Sequence, residues 1–257
     1  MNVRHTWFAV PRPVAGPSLR LFTFPFAGGG ARAFSAWPGH LPSEVELFAA
    51  QLPGREGRFK ESPHVRLVDL VRDLAVAIGP HIDVPYAFFG HSMGALVAFT
   101  LARELRRLGA REPQLLMVSG RRAPQLPETD PPIHALPDEE FLQEIRELNG
   151  TPEAVLQNEE LLQLLLPILR ADFAVCETYE YAPEAPLSCP IVAFGGTDDA
   201  DAPEEDIAAW SHQTTSSFSQ RMFPGDHFYL LDRSVELPQE VSRRLVQLAS
   251  VAEIVRP

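Results

Sequence analysis

The stretch Tyr86-Ala87-Phe88-Phe89-Gly90-His91-Ser92-Met93-Gly94-Ala95-Leu96-Val97 decides how the chain folds. Its first four residues form a short apolar and aromatic run, as a buried strand requires, while Leu96, Val97, Leu101 and Leu105 recur at helical spacing. Between them lies Gly90-His91-Ser92-Met93-Gly94, a G-x-S-x-G pentapeptide in strand, turn, helix context. Such a turn forces its central residue into a strained backbone conformation. It also packs strand and helix so closely that side chains at Gly90 and Gly94 would collide. Ser92 is therefore expected to stand above the end of a sheet as a candidate nucleophile.

Outward from this turn, further short apolar runs occur at 19–24, 45–52, 115–118, 191–194 and 218–223. Helical patterns separate them, in Leu67, Leu70, Val71, Leu74, Ala75 and Ile78 and again in Val241, Leu245 and Leu248. This alternation predicts a mostly parallel sheet covered by helices, in a single α/β domain spanning 1–257. Between the runs at 115–118 and 191–194 about seventy residues carry no strand signal, where such loops usually take two to six. An inserted helical segment, 123–185, accounts for them. After Pro124, Pro127, Pro131, Pro132 and Pro137, Asp138 is expected to cap a helix bearing Phe141, Leu142, Ile145 and Leu148 and closed by Asn149-Gly150. A second helix is expected from Thr151-Pro152. A third is expected from Asn158, kinked at Pro167 and apolar on nearly every side through Leu161, Leu162, Leu164, Leu165, Leu166, Ile168 and Leu169. The segment reads either as an extra packed layer or as a lid over an apolar pocket, with Leu165 and Leu166 meeting the substrate.

A serine hydroxyl needs a base, and a neutral imidazole suits that task near neutral pH. Hydrolases built on this turn carry their partners in the order serine, acid, histidine, which leaves His134, His212 and His227. His134 lies in the proline-rich approach to the insertion and His212 beside Trp210 in a surface helix. His227, in Phe223-Pro224-Gly225-Asp226-His227-Phe228, follows the last strand on a loop before the terminal helix and is the expected base. The orienting carboxylate should leave the strand before it, where Gly195-Gly196-Thr197-Asp198-Asp199-Ala200-Asp201 offers three aspartates. An oxyanion hole needs two backbone N–H groups, one from Met93 and one from the loop Phe24-Pro25-Phe26-Ala27-Gly28-Gly29-Gly30, with Ala27 expected and Phe26 next. The same loop satisfies G-x-G-x-x-A through Gly28, Gly30 and Ala33. A dinucleotide site would also need an acid at the end of the second strand, where Gln51 stands, Glu44 and Glu46 lying at its start.

The chain has 257 residues with 22 Lys+Arg against 34 Asp+Glu, a net charge of −12, opposite to the basic footprint of a nucleic-acid binder. Cys176 and Cys189 form neither a metal motif nor a disulfide framework, which fits a reducing cytoplasm. Neither a signal-peptide core nor an apolar run of roughly 18 residues is present, so no membrane association is expected.

Six short motifs occur in order: Phe24-Pro25-x-Ala27-Gly28-Gly29, Leu52-Pro53-Gly54-Arg55-Glu56, Gly90-His91-Ser92-Met93-Gly94, Leu148-Asn149-Gly150-Thr151-Pro152, Leu169-Arg170-Ala171-Asp172 and Pro224-Gly225-x-His227-Phe228. Together they resemble the signatures of the type II thioesterases of polyketide, nonribosomal peptide and related fatty acid assembly lines. The resemblance implies an α/β-hydrolase fold with a helical lid. It also implies cleavage of acyl thioesters from the phosphopantetheine arm of acyl or peptidyl carrier proteins, clearing stalled or mis-primed chains without a metal or cofactor. Its spacing favours Asp199 as the acid, with Asp198 second and Asp201 third, and Phe26 joins Leu165 and Leu166 as an expected acyl contact. Arg55 and Glu56 are expected to shape a loop through an internal ion pair. Arg103, Arg106, Arg107, Arg121 and Arg122 are candidates for carrier docking. A carboxylesterase or acyltransferase on the same fold is the alternative, and a nucleotide-binding or non-catalytic domain a more distant one.

Overall fold

Strands that are apolar on both faces must be covered on both, and the computed structural model, which describes residues 7–127, 130–148, 158–232 and 234–254, has this layered arrangement. Seven strands form one sheet: β1 (Phe8–Ala9), β2 (Leu19–Phe24), β3 (Val45–Ala50), β4 (Tyr86–His91), β5 (Leu115–Ser119), β6 (Ile191–Gly196) and β7 (Phe218–Phe223). Their order is β1-β3-β2-β4-β5-β6-β7. All neighbours are parallel except β1, which pairs antiparallel with β3 and is too short to be read from sequence.

Side chains alternate across the sheet with period two. Phe22 and Phe88 face a core that also holds Leu70 and Leu74 of α1 (Leu67–Ile78) and Leu96 and Phe99 of α2 (Met93–Arg107). Leu21 and Phe89 face the opposite core, covered by Leu237, Val241 and Leu245 of the C-terminal helix. The chain leaves β2 toward β3 on one side and returns to β4 on the other. The carboxyl ends of β2 and β4 therefore form a topological switch point, the usual place for a ligand in such sheets. Register brings the strand ends level there: Phe24 pairs with Gly90, and His91 with Ser119.

The segment between β5 and β6 contains α3 (Asp138–Glu147) and α4 (Glu159–Glu177), joined through Phe141, Ile145, Leu162 and Leu169. Asn158 caps α4, accepting from the Leu161 amide at 3.1 Å. Asp138 does not cap α3: Pro137 takes the cap position, and the Asp138 carboxylate accepts from Arg170 at 2.6 Å. Pro167 lies inside α4 without ending it. Leu161 and Leu164 are exposed, so α4 is buried along one side and not on all sides as its sequence suggests. The stop at Asn149-Gly150 and the helix expected from Thr151 lie outside the described residues. The last two helices are α5 (Glu204–Ala208) and α6 (Leu237–Ile254).

Candidate active site

The turn between β4 and α2 is a single residue. Ser92 has φ 53° and ψ −116°, one of two non-glycine residues with positive φ among those described. Its neighbours must be glycine: a Cβ on Gly90 would sit 2.0 Å from the Gly94 carbonyl oxygen, and one on Gly94 2.0 Å from that of Phe24. The Ser92 amide donates to the Ser119 carbonyl at 2.8 Å, fixing the turn to the end of β5.

At the end of β6 the amides of Thr197 and Asp198 donate to the carbonyls of Phe223 and Gly225, at 2.8 and 3.0 Å, aligning the acid loop with the histidine loop. This alignment turns the Asp199 side chain inward, with 1% of it exposed, and its Oδ2 lies 2.9 Å from Nδ1 of His227. The other carboxylate oxygen, Oδ1, accepts the Asp201 amide at 3.1 Å. A carboxylate on Nδ1 places the proton there and leaves Nε2 as the basic nitrogen. Asp198 is exposed, and Asp201 faces the cavity without this contact. Of the other histidines, His134 is bound by Glu177 and His212 is exposed.

In the loop after β2 the amides of Gly28, Gly29, Ala31 and Arg32 donate to Asp172, Phe26 and both oxygens of Glu56. Among the described residues no acceptor is found for the Ala27 amide. Met93, at the first position of α2, has an amide left over by helix geometry. The loop is followed only by the short turn Ala31–Phe34, not by the helix a dinucleotide site requires. Arg55 and Glu56 do not pair with each other: Arg55 binds Asp172, and Glu56 the loop amides.

His91 lies buried beneath the turn, its ring 5.2 Å from that of His227. Its Nδ1 shares a hydrogen bond of 2.8 Å with the Ser119 hydroxyl, which in turn contacts the Tyr229 hydroxyl. Burial holds the His91 ring well below the ordinary histidine range, so it is neutral, and pushes the Tyr229 hydroxyl up.

Ser92, His227, Phe26 and Ala27 line one cavity of about 930 Å³, roofed by Leu169 and Phe173 of α4 and by residues of α3. Leu165 and Leu166 are not in its wall. They lie nearer the start of α4, packed against the cluster of Phe141, Ile145, Leu162 and Leu169. Among the described residues one trio could hold a cation: ligand atoms of Asp199, Asp201 and His227 lie within 4.8 Å of one another. An ion bound through Nδ1 would displace the Asp199–His227 hydrogen bond. Of the arginines proposed for docking, Arg103 and Arg106 bridge to Glu184 at 2.8 and 3.3 Å, Arg107 bridges to Glu104 at 3.0 Å, and Arg122 to Asp206 at 3.0 Å. Arg121 lines the cavity.

The family model of the thioesterase domain matches residues 19–245, which contain every residue of this site. The chain belongs to the thioesterase domain family. As a thioesterase it is 47% identical over 239 residues to the gramicidin S biosynthesis protein GrsT of Aneurinibacillus migulanus, covering 93% of both chains. It is 40% identical over 254 residues to the thioesterase PikA5 of Streptomyces venezuelae, covering 98% of this chain and 90% of that one. Among solved structures, RedJ, a thioesterase from the prodiginine biosynthetic pathway in Streptomyces coelicolor, superposes with a TM-score of 0.82 at 39% identity, covering 93% of this chain and 92% of its own. Sheet order, Ser92 turn and this likeness identify the fold as that of the α/β-hydrolases. Within the candidate site, sequence reasoning missed His91 as a buried support and Asp172 as a partner of the loop after β2. A lone aspartate inside the apolar α4 was the available signal for the second.

Proposed function

We propose that this thioesterase hydrolyses acyl groups held as thioesters on the phosphopantetheine arm of acyl or peptidyl carrier proteins. In this reading it clears stalled or mis-primed chains in polyketide or nonribosomal peptide biosynthesis, in the cytoplasm. The observation that carries it is the Asp199–His227 hydrogen bond of 2.9 Å beside Ser92 on its strained turn, in one cavity. The pathway is supported by the biosynthetic relatives; the buried thiols Cys176 and Cys189, not joined in a disulfide, suit a reducing compartment.

In acylation, Nε2 of His227 takes the hydroxyl proton of Ser92 as Oγ bonds to the thioester carbonyl carbon. The carbonyl electron pair moves onto oxygen, held by the amides of Ala27 and Met93. Collapse breaks the C–S bond, and His227 returns its proton to the leaving pantetheine thiolate. In deacylation His227 takes a proton from water, whose oxygen attacks the acyl-enzyme. The acid leaves, and the proton passes back to Ser92. Asp199 holds the imidazole tautomer and stabilises the imidazolium formed in each half.

Residues 123–185 act as a lid in this reading, with Phe26 and the inner face of α4 against the acyl chain. Short to long acyl thioesters, free and carrier-bound, beside the matching oxygen esters provide the test. Preference for carrier-bound thioesters supports the proposal; faster turnover of oxygen esters would favour the carboxylesterase alternative.

A further inference from the structure

The loop that carries the Ala27 amide is held by a device outside the triad. Arg55, in the loop after β3, and Asp172, on α4, are 117 positions apart and form a bidentate pair with both N···O distances at 2.7 Å. The pair is sequestered, with 7% and 4% of the two side chains exposed. Each partner also grips the oxyanion loop: Asp172 Oδ2 accepts the Gly28 amide at 2.7 Å, and Arg55 Nη1 donates to the Gly29 carbonyl at 2.9 Å. Gly29 then donates its own amide to the Phe26 carbonyl at 2.9 Å. Because the Phe26 carbonyl and the Ala27 N–H belong to one planar trans peptide, fixing that oxygen aims that hydrogen in the opposite direction.

Helix α4 presses on the same point. Leu169 is so close to Gly28, which has φ +76°, that a Cβ there would lie 2.6 Å from Leu169 Cδ2. Leu169 and Asp172, one turn apart, share a face of α4, and Leu169 also lines the cavity. A buried ion pair is a poor source of stability compared with an apolar pair of similar volume, and here the Arg55 Nε finds no acceptor among the described residues. Its contacts serve orientation.

We propose that Arg55 and Asp172 are positioning residues that fix the Ala27 amide for the oxyanion and tie that fixation to the seating of α4. This rests on the reading of Ser92 as nucleophile and Ala27 as oxyanion donor. The pair acts when charge develops on the carbonyl oxygen, so its loss lowers kcat while leaving KM nearly unchanged.

The test uses the whole chain with a small acyl thioester as substrate, and an acyl trifluoromethyl ketone that forms a tetrahedral adduct on the serine. Asp172→Asn retains the side-chain shape and one acceptor for Gly28. Arg55→Met with Asp172→Leu removes both charges, leaving neither one buried alone. Both are expected to stay folded, with kcat reduced about 10- to 100-fold, KM within about twofold, and the ketone Ki raised in proportion to the loss of kcat. A merely structural role would lower the active fraction, found by titration, without moving Ki. Wild-type kcat and Ki in either folded variant would overturn the proposal while leaving the triad intact. Retained turnover in Ser92→Ala would instead bring down the triad reading itself.

Discussion

The two halves of the site are built on different principles. At the sheet ends, position follows from backbone: the φ 53° turn at Ser92, the glycines it requires, and the amide bonds that align the acid and histidine loops. In the segment between β5 and β6, position follows from polar side chains that reach across it. Arg170 donates to the His134 carbonyl and to Asp138 at 2.8 and 2.6 Å, and Glu177 accepts the amides of Ile133 and His134, both at 3.0 Å. The candidate triad is thus anchored where the chain has least freedom, and the cavity roof by side chains that cross the segment. Substitutions in the first half should change rate; those in the second should change selectivity, except at Asp172, which reaches back to the loop after β2.

The largest effect expected from breaking this contrast is in the triad. Ser92→Ala and His227→Ala should each lower thioester turnover by about 10⁴-fold or more, with melting temperatures near wild type. Turnover above a few per cent in either would remove that residue from the mechanism. Next, Asp199→Asn should cost about 10²- to 10⁴-fold in kcat by spoiling the histidine tautomer, whereas Asp198→Asn, on an exposed carboxylate, should stay within about twofold. The reverse ranking would move the acid.

On the other side of the comparison, Leu169→Ala should shift the preferred acyl length, changing the ratio of kcat/KM between long and short thioesters by about 10-fold. Leu165→Ala and Leu166→Ala should instead lower the melting temperature without moving that ratio, because they pack within the segment. Equal shifts from all three would mean that the roof rearranges around its ligand.

The residues that the sequence made legible, and those that it did not, divide along the same line. Ser92, His227 and the aspartate loop sit in contiguous motifs at strand ends, where a few neighbouring residues determine the backbone. Strand position narrows the candidate acid to three and family spacing to Asp199; burial and the hydrogen bond to His227 set that aspartate apart from the other two. Periodicity reveals the apolar face of α4 but not how far along it the cavity reaches, so it points to Leu165 and Leu166 where the cavity wall has Leu169 and Phe173. Arg55 and Asp172 each stand in a short motif, but with 117 positions between them nothing in either motif shows that they pair.

Buried neutral His91 sharpens the comparison from within the rigid half. Its folded-state affinity for protons is lowered, so below pH 6.5, its ordinary value, the unfolded chain binds more protons and stability falls with pH. The slope approaches about 1.4 kcal/mol per pH unit roughly one unit below that value and holds until the folded ring itself titrates. Urea unfolding at pH 7.5 and 5.5 should show a smaller loss for His91→Gln than for wild type; equal losses would remove His91 as the cause. The smallest effect concerns docking. Since Arg103, Arg106 and Arg107 are already paired with Glu184 and Glu104, raising salt from low to physiological should change kcat/KM for a carrier-bound substrate by less than about twofold. A steep fall absent with small thioesters would point to charge-driven recognition.

The left-handed backbone at Ser92 also bears on how this protein can change over time. Holding a non-glycine residue there costs about 1–3 kcal/mol, a large share of the 5–15 kcal/mol that separates a typical domain from its unfolded chain. The position of the proposed nucleophile is therefore a standing debt against the fold. Substitutions elsewhere that lower stability have that much less margin before the chain unfolds, and the tolerance of distant core positions is set in part by one reactive turn.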